Sequence, residues 1–206
     1  MRIFLLLFLL VFFSCTKTTQ INNETIVAIQ PYRGFPKNKV DTLAKTIATF
    51  YQLKVVVLPE IDLPKSAFVN IKSPRYRADS IIRIQNRNRF DHYDFVVGLT
   101  ASDISVTKVN PDGSVKKPEW KYNDFGVMGL AYRPGKSAII SSFRLKTNDS
   151  KLHFTRLKKV TIHEFGHNLG LPHCKNAHCV MTSANEKIAT IDNEKMELCA
   201  HCKNLL

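Results

Sequence analysis

One stretch limits what this chain of 206 residues can fold into. Residues 160–181 read VTIHEFGHNLGLPHCKNAHCVM, and within them His163, Glu164 and His167 form H-E-x-x-H. On an α-helix, positions i and i+4 share one face, so the two imidazoles can reach one ion together. Glu164 cannot point the same way as both histidines. It sits beside the ion, where a carboxylate can take a proton from a bound water. Gly170 can adopt a backbone conformation that other residues resist and so end the helix. Pro172 keeps the helix from resuming, and the turn can bring His173 back as a third ligand. Three protein ligands leave the fourth tetrahedral position open, which suits a catalytic zinc rather than a structural one.

The pattern continues through Cys174, Cys179 and Met181 to Cys199 and Cys202, the last two spaced C-x-x-C. The whole run resembles the metzincin metallopeptidases, whose H-E-x-x-H-x-x-G-x-x-H is followed by a methionine turn. Its extra cysteines make it similar to one branch of them, the archaemetzincins. The matching motif spans His163 to Cys202; upstream the likeness rests on element order and a few short phrases.

The resemblance implies a zinc peptidase that hydrolyses a peptide or protein substrate. Glu164 would be the general base, and His163, His167 and His173 the ligands of a catalytic zinc. Met181 would form an apolar floor beneath it. It also implies a second, structural zinc on Cys174, Cys179, Cys199 and Cys202, so two zinc ions in all. Read without the resemblance, the four cysteines fit either a tetrahedral thiolate site or two disulfides. His178 and His201 stand beside them and read as exposed bystanders. A different class of function stays open: a zinc-containing envelope lipoprotein that binds peptides without turning them over.

The N-terminus carries a separate message. Arg2 precedes the apolar run IFLLLFLLVFF, which ends at Ser14 and Cys15. That is a secretory signal in outline and too short to span a bilayer comfortably. A cysteine directly after the small residue resembles a bacterial lipoprotein signal, with Cys15 lipidated; an ordinary secretory signal or an uncleaved anchor are the alternatives. Acylation would account for the one cysteine left outside the C-terminal four. The expectation is an exported, membrane-anchored envelope lipoprotein, with residues 1–14 as signal, 15–23 as tether and 24–206 as catalytic domain.

The formal charge is +13. The basic residues are scattered (Lys37 and Lys39, Arg75 to Arg89, Lys116 and Lys117, Arg156 to Lys159) and no RNA-binding aromatic signature accompanies them. They read as a solvated basic surface, with nucleic acid excluded as a partner and a monomer expected.

Upstream of the motif, apolar runs at 24–30, 53–58 and 93–99 read as strands, the last nearly continuous as in a buried central strand. Helical spacing marks 39–52 and 78–88 between them. Strand, helix, strand, helix, strand implies largely parallel pairing and right-handed crossovers. Residues 59–74 read as a loop or a weak extended segment, and Asp103 as a cap or turn residue, with a metal or calcium role as its alternative. Trp120 is either a substrate rim or a packed loop residue. Residues 125–132 (FGVMGLAY) read as one strand with two glycines, and 137–145 as another. By the metzincin resemblance, the former is the antiparallel edge strand that takes the substrate, so Gly126, Val127, Met128, Gly129 and Leu130 are substrate-binding candidates. A simple bulge at the glycines is the alternative. A long helix is expected over 151–169, with Leu152, Leu157, Val160, Phe165 and Leu169 as its buried stripe, and a weak one over 185–198. The fold class is α/β (α+β): a twisted mixed sheet with helices in residues 24–170, above a small lower subdomain in 171–206.

Overall fold

The computed structural model describes residues 19–88, 92–184 and 187–206. The expected signal peptide and the lipidation site Cys15 lie outside these residues, as does the first part of the tether. Among the described residues, no helix is long and apolar enough to cross a membrane.

The chain enters through β1 (Ile26–Pro31) and α1 (Lys37–Tyr51), whose Val40, Leu43 and Ile47 recur at helical spacing and are buried. Gln52, in the left-handed conformation at φ 56°, ends the helix and turns the chain into β2 (Lys54–Val57). Residues 59–74 are less loop-like than their composition suggests. They hold β3 (Phe68–Asn70), which forms an antiparallel hairpin with β4 (Pro74–Arg77). Strands of three and four residues are too short to carry an alternation that can be read. Next come α2 (Ala78–Arg87), the fully buried β5 (Phe95–Thr100), β6 (Ile104–Val106) and the single turn α3 (Glu119–Tyr122). Then follow β7 (Phe125–Val127), β8 (Gly129–Ala131) and β9 (Ser137–Ser141). The long α4 (Ser150–Asn168) precedes two short helices, α5 (Ile188–Asn193) and α6 (Ala200–Lys203).

The main sheet has the order β2-β1-β5-β9-β8. Its first four strands are parallel, and β8 closes the edge antiparallel to β9. A smaller sheet runs β3-β4-β6-β7. Pleat alternation sorts the main sheet's side chains by face. Val27, Ile29, Phe95, Val97, Leu99 and Ile140 join α1 and α4 in the larger core. Ile139 turns the other way, to Ile81, Ile82 and Tyr32. Burying each such large apolar side chain stabilises the fold by about 1.5–3 kcal/mol.

Two expectations are corrected. Residues 125–132 are not one strand: the chain leaves the small sheet after β7, bends at Met128 and enters the main sheet as β8. The Met128 carbonyl accepts a hydrogen bond from Ser141 N–H (2.8 Å) at the bend. The glycines are there for close approach, not for a bulge. A Cβ at Gly126 would collide with the Arg144 guanidinium, and one at Gly129 with Glu164. The segment after β9 is likewise strand only to Ser141, and residues 143–145 form a 3-10 turn.

Among the described residues of 171–206 no sheet forms, and the segment shares the core above it. Cys179, Val180, Met181, Ile191, Leu198 and Cys202 belong to the same buried cluster as α1 and α4.

Candidate active site

Asp149 starts α4 by accepting hydrogen bonds from the backbone N–H groups of Lys151 and Leu152, which would otherwise be unpaired at the helix N-terminus. Leu157, Val160, Phe165 and Leu169 are buried as the spacing implied, whereas Leu152 is only half-buried. Gly170, at φ 101°, takes the left-handed turn that ends the helix. Its reversal carries Leu171 back so that the Leu171 carbonyl accepts from His167 Nδ1 (2.7 Å). His163 Nδ1 donates to the Val180 carbonyl (2.8 Å). A carbonyl can only accept, so both rings carry the proton on Nδ1 and present a bare Nε2. The two Nε2 atoms lie 3.1 Å apart. A tetrahedral zinc with Zn–N bonds near 2.0–2.1 Å separates its ligand atoms by about 3.3 Å. His173 completes the group, and the three ligand nitrogens fall within 4.8 Å of one another. The trio therefore fits zinc in donor type, and His163 and His167 fit it in tautomer and spacing as well.

Burial is the first cause of the electrostatics here. It lowers His163 to about 3 and His167 to about 4, and it lowers His173 as well. All three stay neutral at ordinary pH, the form that binds a metal. Burial also raises Glu164 to about 8, and its residue is only 9% exposed. Met181 is fully buried under α4; a methyl at Gly166 would stand 2.5 Å from its sulfur. Glycine at 166 is what lets the methionine come up beneath the helix turn that carries His163 and His167.

Cys174, Cys179, Cys199 and Cys202 also converge, with their sulfurs within 4.8 Å of one another. All four are free thiols. Cys174 Sγ and Cys199 Sγ are 3.7 Å apart, far beyond an S–S bond and close to the edge of about 3.8 Å that Zn–S bonds of 2.3 Å require. Backbone N–H groups of Asn176 and Cys199 point at Cys174 Sγ and Cys179 Sγ (3.4 Å each). Donors of that kind stabilise thiolates. The Cys202 backbone N–H is the main reason Cys199 falls to about 7, whereas burial pushes Cys202 up. His178 and His201 are exposed, as expected of bystanders.

A cleft of about 650 Å³ opens over the histidines. Gly126, Val127, Met128, Gly129 and Leu130 all line it, so the five expected substrate-binding residues are together on one wall. β8 is the edge of the main sheet, which leaves one side of its backbone unpaired with any strand.

Several residues that shape the site escaped the sequence reading. Asn168 Nδ2 donates to the carbonyls of Tyr132 and Ser137 (3.0 Å each), which ties the β8–β9 turn to the end of α4. Arg156 and Lys159, read as solvated surface, are buried. Arg156 makes a two-pronged bond to Asp192 (2.6 and 2.7 Å). Lys159 Nζ donates to the carbonyls of Ile191 (2.6 Å), Asp192 (3.2 Å) and Glu194. It thus caps the C-terminal end of α5, where a cation is favoured. Asp103 is neither cap nor turn residue: it is buried, and it accepts from Arg144 Nε and Nη2 (2.7 and 2.8 Å) with Arg75 beside it. Charge patterning alone does not separate such buried pairs from surface charge; only a long-range partner does. Trp120 is 74% exposed, which excludes the packed-loop reading.

The sequence of residues 26–206 matches the model of the family described as Peptidase family M54. The archaemetzincin of Archaeoglobus fulgidus is 30% identical over 176 residues, covering 85% of this chain and 95% of that protein. The archaemetzincin of Haloquadratum walsbyi is 28% identical over 190 residues, covering 88% and 99%. Among solved structures, that of the A. fulgidus archaemetzincin complexed with malonate superposes with a TM-score of 0.71 at 27% identity, covering 88% of this chain and all of the other. The mixed, twisted sheet with its helices is the fold the two share.

Proposed function

The chain belongs to peptidase family M54 and is a zinc metallopeptidase, and from that premise we propose that His163, His167 and His173 hold its catalytic zinc and that Glu164 is its general base. The observation that carries the assignment is the pair of Nε2 atoms 3.1 Å apart, each ring fixed by its Nδ1–H. When bound, zinc supplies a Lewis acid that acidifies a ligated water and polarises the scissile carbonyl. Glu164 takes a proton from the attacking water and delivers it to the leaving amine. Its burial raises its proton affinity toward the working range for that exchange, and the cation, when present, draws it back down. The Glu164 side chain is largely shielded from bulk water. The substrate lies extended along β8 as an added strand, its backbone paired with the free edge. Met181 floors the trio without binding the ion.

The four cysteines hold a second, structural zinc, making two per chain. That ion ties Cys199 and Cys202, on the C-terminal tail, to the turn that carries His173. Residues 24–170 form the upper wall of the cleft and residues 171–206 the lower. The chain acts as a monomer, a reading supported by the fact that neither cluster needs a residue from a second copy. It is exported and held at the envelope membrane through a lipid on Cys15, a reading supported by the N-terminal sequence pattern; a Cys15→Ser variant should lose the lipid mass on its N-terminal peptide.

The test of the chemistry is Glu164→Ala, which should keep zinc and lose hydrolysis. Native-rate cleavage by that variant would remove Glu164 from the base's role.

A further inference from the structure

The charges that face the cleft are not balanced. Its lining includes Lys108, Lys116 and Arg133, but only two carboxyls, Glu164 and Glu194. Both carboxyls are buried. None of the three cations forms an ion pair with a described residue. Lys108 is half-buried, its Nζ 4.9 Å from the centre of the Phe125 ring, while Lys116 and Arg133 are exposed. The protein therefore presents a positive cleft to whatever enters.

Their placement is also ordered. Lys116 N–H donates to the Lys108 carbonyl (2.9 Å), so the two lysines travel together beside the start of β7. Arg133 lies past the end of β8, on the turn that Asn168 holds through the Tyr132 carbonyl. The β7–β8 wall runs between them. Lys108, Lys116 and Arg133 line the same cleft as His163, His167 and His173.

We propose that this cleft selects acidic peptides: Arg133 receives an aspartate or glutamate side chain on one side of the scissile bond, and Lys108 with Lys116 receives one on the other. The proposal rests on the peptidase reading above and names its substrate class. A carboxylate entering the cleft finds cations that no described carboxylate pairs with. A lysine or arginine side chain meets like charge, which rejects the wrong substrate as well as favouring the right one. The chain's overall charge of +13 attracts any anion from a distance; what distinguishes the cleft is position-specific preference.

The test uses the zinc-loaded chain and matched peptides with glutamate, glutamine or lysine placed on either side of the cleaved bond. The wild type should prefer glutamate over lysine in kcat/KM by about 2- to 5-fold for each contacted position, and added salt should shrink the ratio. Arg133→Glu should reverse the preference on one side of the bond only, and Lys108→Glu with Lys116→Glu on the other side only. Arg133→Gln should abolish the preference on its side without reversing it. Lys37→Glu, on the exposed start of α1, controls for overall charge and should leave the ratios alone. Binding of the same peptides to the Glu164→Gln protein, read by fluorescence anisotropy, should show the same order. Cleavage of the glutamine peptide with no preference for glutamate overturns the proposal, as does an equal shift from Lys37→Glu. If no peptide is cleaved, the peptidase reading fails, and the order of binding then decides the selectivity on its own.

Discussion

Glu164 packs directly against Gly129: a methyl on that glycine would stand 2.5 Å from Glu164 Cγ and 2.6 Å from Oε1. The residue that begins the edge strand proposed to take substrate thus also sets the position of the proposed general base. Glycine at 129 gives β8 its close approach to α4, and the same approach confines the carboxylate beneath the place where substrate backbone would lie.

Gly129→Ala should therefore lower kcat by about tenfold or more, since a displacement of the base near 1 Å is costly. Zinc content should be unchanged, because no ligand moves. Overpacking should cost about 1–3 kcal/mol of stability. Paired measurements of kcat, zinc content and urea unfolding check this; an alanine variant with native kcat would separate the glycine from the base.

Lys159→Met should destabilise the chain by about 2–4 kcal/mol, because up to three carbonyls at the end of α5 lose their donor. α5 carries Ile191 to the cleft wall, with Glu194 just beyond its end, so KM should rise as well. Thermal unfolding and steady-state kinetics on the same preparation test both arms. A neutral effect on stability would mean that water replaces the ammonium.

The contrast between these two sites explains what could be read from the chain. The histidine trio was legible because its geometry is local: i and i+4 on one helix, then a glycine turn three residues on. The cysteines were legible as a group for the same reason of spacing, although spacing alone left disulfides open until the sulfur separation was in hand. Before residue 100, β1, α1, α2 and β5 were also legible, since each is long enough to show its pattern, and β2 was legible as an apolar run, whereas the β3–β4 hairpin was not. What could not be read depends on partners far away in sequence. Lys159 looks like surface charge until Ile191 is beside it, and Asp103 looks like a turn residue until Arg144 reaches it. β7 and β8 read as one strand because a chain crossing from sheet to sheet at Met128 leaves no mark in the alternation.

Glu194 gives a prediction with a pH sign. Burial raises its carboxyl to about 8 from 4.5, with Lys159 opposing. A carboxyl whose pKa is raised on folding contributes stability that is fully present below 4.5 and is lost as pH climbs through its folded value. Glu194→Gln lacks this titration. Its stability relative to wild type should therefore increase from pH 5 to pH 8 in urea unfolding. A constant difference across that range would show that Glu194 is already ionised in the fold.

Chelation should act in two stages. Zinc held by the three histidines would keep an open coordination position and should leave first, with activity lost and the fold kept. Zinc at the cysteines should leave more slowly, with unfolding, and only then should four thiols become titratable. Loss of activity and appearance of thiols in a single step would contradict two independent sites.

The central claim is that the histidine trio holds one zinc and the cysteines another. Counting zinc per chain by elemental analysis, in the wild type and in His167→Ala, tests it most directly. The account predicts two in the wild type and one in the variant, with the thiols still masked. Two zinc ions retained by His167→Ala, or none bound by the wild type after reconstitution, would contradict it.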